Sequence, residues 1–337
     1  TLELSSDEKG LKYTVTPPAT AVGRDTLELV RRRDLRGSSF AFAVDAKGGI
    51  WVVGSAGTPS PSPFAIRGDE QTWQAISVGS LPTLFGRMAL DPQGAPYVLA
   101  SSYGTMAPPA FQSSLWRYDG TKQWSEVSTG LQSAGGPSTM RWLPSQELVV
   151  GGEAGELRSF DGTNWSDIKG SGTPPQDEIA RLWGSSAKEL WAVSATGDGG
   201  APTYTAHSFR SGVWAAHPFS GVLTDSRVNG IWGRSHNDVY LPTDKGLLHW
   251  SGSSWKVVLA PPDNARITAV WGGPKSTKVY ALGERALYVL EGAKTRRVSV
   301  KLRGDETLLS LAGTHEQEPK TIYMLTSQAR VLRYQAP

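Results

Sequence analysis

The sequence predicts an all-β fold, a seven-bladed β-propeller of four-stranded antiparallel blades closed by an N-terminal strand. Three observations carry the prediction: a unit that recurs along the chain, the internal form of that unit, and a last unit lacking its final strand. The fullest copy is IWGRSHNDVYLPTDKGLLHWSGSSWKVV, Ile231 to Val258. Its apolar runs are short and are broken by RSHND, DKG and SGSS. Runs of this length between Asn, Asp, Gly and Ser clusters read as four strands of an antiparallel meander.

The first half of the unit returns as RLWGSSAKELWAVS and AVWGGPKSTKVYALG, and more faintly as FAVDAKGGIWVVG, MALDPQGAPYVLA, MRWLPSQELVVGG and LAGTHEQEPKTIYMLT. The second-strand position then falls at Trp51, Tyr97, Val149, Trp191, Tyr240, Tyr280 and Tyr323. These positions lie about 45 residues apart on average, the period of a propeller blade. The second half returns as LWRYDGTKQWSEV, LRSFDGTNWSDI, HSFRSGVWAAH and LHWSGSSWKVV: an aromatic residue, a Gly turn, then Trp124, Trp165, Trp214 or Trp255, with Trp73 in a looser copy. The sixth unit has Thr295 or Arg296 at that slot. A meander of this kind cannot bury both faces alone, and stacking copies around a closed array buries them and protects the edges.

The last unit ends on VLRYQAP, a third strand with nothing after it, so the N-terminus is expected to supply the fourth. LKYTVT (Leu11–Thr16) and TLELVRR (Thr26–Arg32) compete, and the spacing between fourth and first strands elsewhere favours the second. Residues 1–24 then read as an extension or linker and 25–337 as a single propeller domain. Without an initial Met or an apolar signal core, the chain reads as a trimmed, mature segment.

Composition narrows the function classes. The absence of cysteine excludes disulfides, thiolate catalysis and Cys-ligated metals. A net charge of +3 is too small to argue for a nucleic-acid partner. No apolar run reaches the length of about 18 residues that a membrane-spanning helix needs.

Few residues suggest chemistry. The tryptophans could stack on sugars, but they hold repeated strand positions, where filling the space between blades accounts for them; Trp183, Trp232 and Trp271 are each followed by Gly, which allows close packing. His207, His217, His236, His249 and His315 share no metal-ligand spacing. No nucleophile elbow, phosphate loop or zinc-protease helix is present, and DAKGG, DPQG and GDGG read as Asp/Gly turns rather than calcium loops. We therefore expect no catalytic residues, no metal and no cofactor. A carboxylate pair drawn from two blades, as in a glycosidase, would leave no local motif.

Two features remain. RRRDLR carries Arg31, Arg32, Arg33 and Arg36, and RRVSVKLR alternates Arg297, Lys301 and Arg303 with apolar residues, placing these charges on one face of an outer strand. They offer a basic patch for an acidic partner, or simply charge that protects an edge. The connections between second and third strands also differ. Blades three, five, six and seven have short turns, whereas blades one, two and four carry GSAGTPSPSP, SSYGTMAPPAFQSS and SATGDGGAPTYTA. Insertions on one rim of a repeat protein mark its recognition surface. Tyr103, Met106, Phe111 and Tyr204 stand out there as the contact candidates, against self-packing of the loops as the competing reading.

The copies IWGRSHNDVYLPTDKGLLHWSGSSWKVV and RLWGSSAKELWAVS resemble propeller repeats of secreted proteins and lipoproteins of myxobacteria and related bacteria, built as aromatic-Gly, turn, Asp-Val-aromatic, Gly turn and an aromatic-Asp-Gly-x-x-Trp hairpin. The likeness spans about residues 26 to 337. WQAISVGS is also similar to segments of tectonin-type lectin propellers. The resemblance implies an exported bacterial protein of the cell envelope or surroundings, lipid-anchored before trimming or free, with a binding role; it transfers no site residue. The expectation is a recognition module for a glycan or another envelope protein. A structural subunit of an adhesion assembly is the alternative, and a polysaccharide hydrolase or lyase stands third.

Overall fold

The computed structural model describes residues 2–7, 10–15 and 40–336, apart from 46–48, 57–61, 69–71, 80, 83, 104–110, 122, 133–134, 198–201, 220, 223–225, 263–264, 274–275, 314–320 and 329. The fold is a seven-bladed β-propeller of antiparallel blades. Among the described residues there is no α-helix, only a short 3-10 turn at Glu153–Gly155.

Two compact units make up the chain. The first comprises Thr1–Val127, Lys301–His315 and Lys320–Pro337. It holds blade one (Phe40–Val44, Ile50–Ala56, Ser62–Gly68, Trp73–Ile76) and blade two (Leu84–Leu90, Pro96–Tyr103, Phe111–Tyr118, Trp124–Val127). It also holds blade seven, whose described strands are Leu308–Gly313, Thr321–Thr326 and Val331–Gln335. The expected closing strand, Thr26–Arg32, lies outside the described residues. Its competitor is paired elsewhere: Gly10–Val15 forms a two-stranded sheet with Leu2–Asp7.

The second unit, Ser128–Val300 with Glu316–Pro319, holds blades three to six. Blade three is Thr139–Trp142, Leu148–Gly151, Leu157–Phe160 and Trp165–Asp167. Blade four is Glu178–Ser186, Glu189–Thr196, Thr203–Arg210 and Val213–Pro218, with Ser171–Gly172 added in parallel along its last strand. Blade five is Trp232–Ser235, Asp238–Thr243, Gly246–Trp250 and Trp255–Leu259; blade six is Ile267–Trp271, Lys278–Gly283, Ala286–Glu291 and Lys294–Ser299.

Register places the repeated aromatic residues as the sequence predicts. Trp51, Tyr97, Trp191, Tyr240, Tyr280 and Tyr323 face Ala43, Ala89, Trp183, Trp232, Trp271 and Ala312 across the first hairpin. Val149 faces Arg141 at the same slot in blade three. On the outer hairpin the two aromatic residues pack as cross-strand partners: Tyr118 with Trp124 at 5.2 Å, Phe160 with Trp165 at 5.0 Å, Phe209 with Trp214 at 4.7 Å and Trp250 with Trp255 at 5.5 Å. In blade six Thr295 takes the Trp slot, opposite Leu290. The turn between the partners is closed by its own Asp: Asp161 accepts from the backbone N–H of Thr163 and Asn164 at 2.8 and 2.7 Å. The next residue, Gly162, has φ +101°, a conformation that favours glycine.

Between blades four and five a cluster of aromatic rings sits within an otherwise aliphatic core. Trp191 is fully buried, with Trp250, Trp255, His217 and His236 at 5.6, 5.7, 5.0 and 5.5 Å. First-strand tryptophans pack onto the glycine of the following blade. A Cβ on Gly272 would come 2.6 Å from the Trp232 ring, and one on Gly233 would come 3.1 Å from Trp183. Gly233 and Gly272, which follow Trp232 and Trp271, are therefore needed for the close approach.

Candidate functional site

In an antiparallel meander, the second-to-third connections and the links between blades leave from one end of each sheet, and the remaining turns leave from the other. At the first end the inner hairpins differ in length. Beyond the shared aromatic position, the second strand runs to Ala56, Tyr103 and Thr196 in blades one, two and four. It stops at Gly151, Thr243, Gly283 and Thr326 in the others. Much of what reads as long loop in the sequence is thus paired strand: Ala56 pairs Ser62, Tyr103 pairs Phe111, and Thr196 pairs Thr203. Two contact candidates, Tyr103 and Phe111, become register partners at the tip of blade two's hairpin. Met106 lies outside the described residues. Tyr204 pairs Ala195 near the tip of blade four's hairpin and is half-buried against the aromatic core.

Between blades three and four is a cleft of about 740 Å³. It is framed by the turn at Ala154–Glu156, the link at Lys169–Gln176, Arg158 and Trp214. Its charges neutralise one another. Arg158 Nε is 2.9 Å from Asp167, whose other oxygen takes Lys169 at 2.8 Å, and Arg158 also donates to the Thr129 carbonyl at 2.7 Å. The cleft is lined by polar and apolar groups alike.

The basic stretches are only partly placed. Arg31 and Arg33, with Arg32 and Arg36, lie outside the described residues. Arg297 is exposed on the last strand of blade six, opposite Tyr288. That strand ends at Ser299, so Lys301 and Arg303 are exposed beyond it and not on a strand face. Alternation of exposure nevertheless continues through Val300 and Leu302, both half-buried.

The described histidines are tied into the blades. His207 contacts Ser194 Oγ and the Thr173 carbonyl at 3.2 Å each; His217 meets Ser208 Oγ at 2.8 Å and lies between Trp191 and Trp250. His249 stacks on Tyr240 at 4.3 Å and meets Asp238 at 2.7 Å. Burial holds the His207, His217 and His236 imidazoles below their ordinary range. Burial would raise the Asp238 carboxyl, but hydrogen bonds from His249 and Arg234 outweigh it and keep it low. Among the described residues no three His, Asp or Glu side chains converge as a metal site would require.

The buried carboxylates are similarly occupied. Asp45 accepts from Gly49 N at 2.8 Å and faces Arg67 at 3.3 Å; Asp91 accepts from Gln93 N and Ala95 N at 2.9 and 2.8 Å. Asp45 and Asp91 each close the connection from first to second strand of their blade. Glu306 pairs with Arg330 and accepts from Thr326 Oγ1 and Arg303 N.

Arg141 and Arg181 stand on the first strands of blades three and four. Arg141 occupies the slot that holds Ala or Trp in every other unit.

Comparison with known proteins establishes the fold. A family model described as caudovirus prohead serine protease matches residues 1–55, a small part of the chain, most of it outside the described residues. Among curated proteins none matches the chain. A catalytically inactive virginiamycin B lyase from Staphylococcus aureus, solved with quinupristin, superposes with TM-score 0.66 at 9% identity over 90% of this chain and 96% of that one. YCF48 bound to D1 peptide gives 0.60 at 16%, over 89% and 91%. The WD40 propeller domain of Doa1 gives 0.63 at 10%, over 90% and 94%. At these identities the likeness is one of fold, which hosts binding modules and enzymes alike.

Proposed function

We propose that the chain is a non-catalytic recognition module of the cell envelope or its surroundings, binding a glycan or a protein through the blade ends that carry the long hairpins. The observation that carries this reading is the selective lengthening of the inner hairpins in blades one, two and four. Strand added beyond the core buries little and contributes little to folding, so its retention on three blades fits a contact surface. The buried carboxylates already serve turns and arginines, which supports binding over acid–base chemistry. Of the propellers similar to this one, YCF48 was solved with a bound peptide, and that supports a protein or peptide ligand here. Likeness to myxobacterial exported repeats supports the envelope setting.

A structural subunit of an envelope assembly is the second reading. It is favoured by the exposed outer strand Lys294–Ser299, whose Arg297 could meet an acidic partner. The purified chain, applied to a glycan array and to a displayed peptide library, tests the first reading. Saturable retention of one ligand class supports it. Retention of neither, with stable capture of one envelope protein through Arg297, replaces it with the second.

A further inference from the structure

The outer edges of the blades differ from one another. A fourth strand has one side where backbone N–H and C=O groups point away from the sheet, and proteins keep such edges short, bulged, covered or charged. In blades one, two and three the fourth strands, Trp73–Ile76, Trp124–Val127 and Trp165–Asp167, hold only three or four residues. In blade five the register slips: Leu247 pairs Leu259 and Leu248 pairs Val257, so Val258 is left over as a bulge. Blade four has a six-residue strand, Val213–Pro218, and its edge is covered. Ser171 and Gly172 run parallel to Val213 and Trp214, with Ser171 N donating to the Gly212 carbonyl and Thr173 N to the Trp214 carbonyl, both at 3.0 Å. Ala216 N donates to Thr173 Oγ1 at 2.8 Å and continues the seam.

Blade six keeps a long, regular edge. Lys294–Ser299 matches the covered strand of blade four in length. It pairs Ala286–Glu291 in six consecutive steps without a slip, and among the described residues no strand pairs its other side. Five of its six residues are exposed, and Val298 is half-buried. Alternation puts Lys294 and Arg296 on one face of the strand and Arg297 on the other.

Charge is the one protective device left on this edge, and it selects the occupant. The hairpin Ala286–Ser299 carries Lys294, Arg296 and Arg297 against a single carboxylate, Glu291. A second copy pairing antiparallel about the strand centre would set Arg296 against Arg297, which like charge opposes. An extended segment bearing carboxylates would meet the same groups with attraction.

We propose that Lys294–Ser299 is a docking edge for an acidic extended segment of a partner protein, which adds to blade six as a fifth strand, as Ser171–Gly172 adds to blade four. In this mode main-chain hydrogen bonds supply affinity and the flanking side chains supply selectivity. Such docking rests on the second reading, a subunit held through its outer strand, and adds the partner's chemistry to it.

The full chain is screened against displayed peptides of about ten residues with Glu at alternate positions, and against the matched set with Lys. The Glu set should yield binders and the Lys set none. The best binder is then remade with N-methyl groups on its odd or on its even residues, each form stripping one edge of its donors. One form should bind on the order of tenfold or more weaker while the other keeps its affinity, because a strand pairs through one edge at a time. Binding should slow hydrogen exchange within Lys294–Ser299. Lys294→Glu combined with Arg297→Glu should weaken binding on the order of tenfold or more with the melting temperature held, since both side chains are exposed. Failure of the Glu set to yield a binder, or protection confined to other strands, would overturn the proposal. So would equal affinity of the two N-methylated forms; if the charge-reversed variant still binds weakly, the second reading survives that loss. Unchanged affinity for the charge-reversed variant would remove both.

Discussion

At the scale of single residues, burial decides which groups matter. Glu306 is fully buried and Arg330 nearly so, and the pair is completed by Thr326 Oγ1 at 2.5 Å and Arg303 N at 2.9 Å. Glu306→Gln keeps the shape but leaves the arginine charge unmatched, and should cost about 3–5 kcal/mol in urea unfolding. The double change Glu306→Leu with Arg330→Met should recover most of that loss. Gly272→Ala acts through volume: the added methyl meets Trp232, which is 5% exposed and cannot swing away, so about 1–3 kcal/mol should be lost. The depressed histidines set a pH response. Their folded values lie below the free value of 6.5, so the unfolded chain takes up protons first. Stability is then complete above that value and falls as pH drops through it, until the folded values are passed. Melting temperature should decline from pH 8 to pH 5.5, and His217→Asn should flatten part of the decline.

At the scale of elements, the hairpin turns were legible in the sequence and the hairpin lengths were not. The Asp-Gly-x-x-Trp pattern names the outer hairpin of blade three because Asp161, Gly162 and Trp165 have local reasons to be there: a turn acceptor, a positive φ and a cross-strand ring. SSYGTMAPPAFQSS looks like loop because of its Gly, Pro and Ser, yet strand continues to Tyr103 and resumes at Phe111. Pairing with the opposite strand decides such extensions, and local propensity does not encode it. LKYTVT pairs with Leu2–Asp7, a partner that its own pattern does not name. The extensions predict a separation of roles. Replacing the segment between Thr196 and Thr203, both exposed, with the two-residue turn of blade five should shift the melting temperature by no more than about 4 °C.

At the scale of the whole molecule, the aromatic period was enough to give seven blades, because each tryptophan or tyrosine slot recurs where a neighbouring blade must be met. The same regularity hides function: residues that repeat build the blades, and residues that break the repeat are the ones left to recognise a partner. The lengthened hairpins of blades one, two and four are departures of that kind. The most direct test takes the ligand selected from the glycan array or peptide library and measures its affinity for the intact chain. The measurement is repeated on a folded variant whose hairpins beyond Tyr103–Phe111 and Thr196–Thr203 are cut to two-residue turns. The account predicts that affinity falls on the order of tenfold or more while the melting transition stays cooperative. Unchanged affinity in the folded, shortened variant would contradict it.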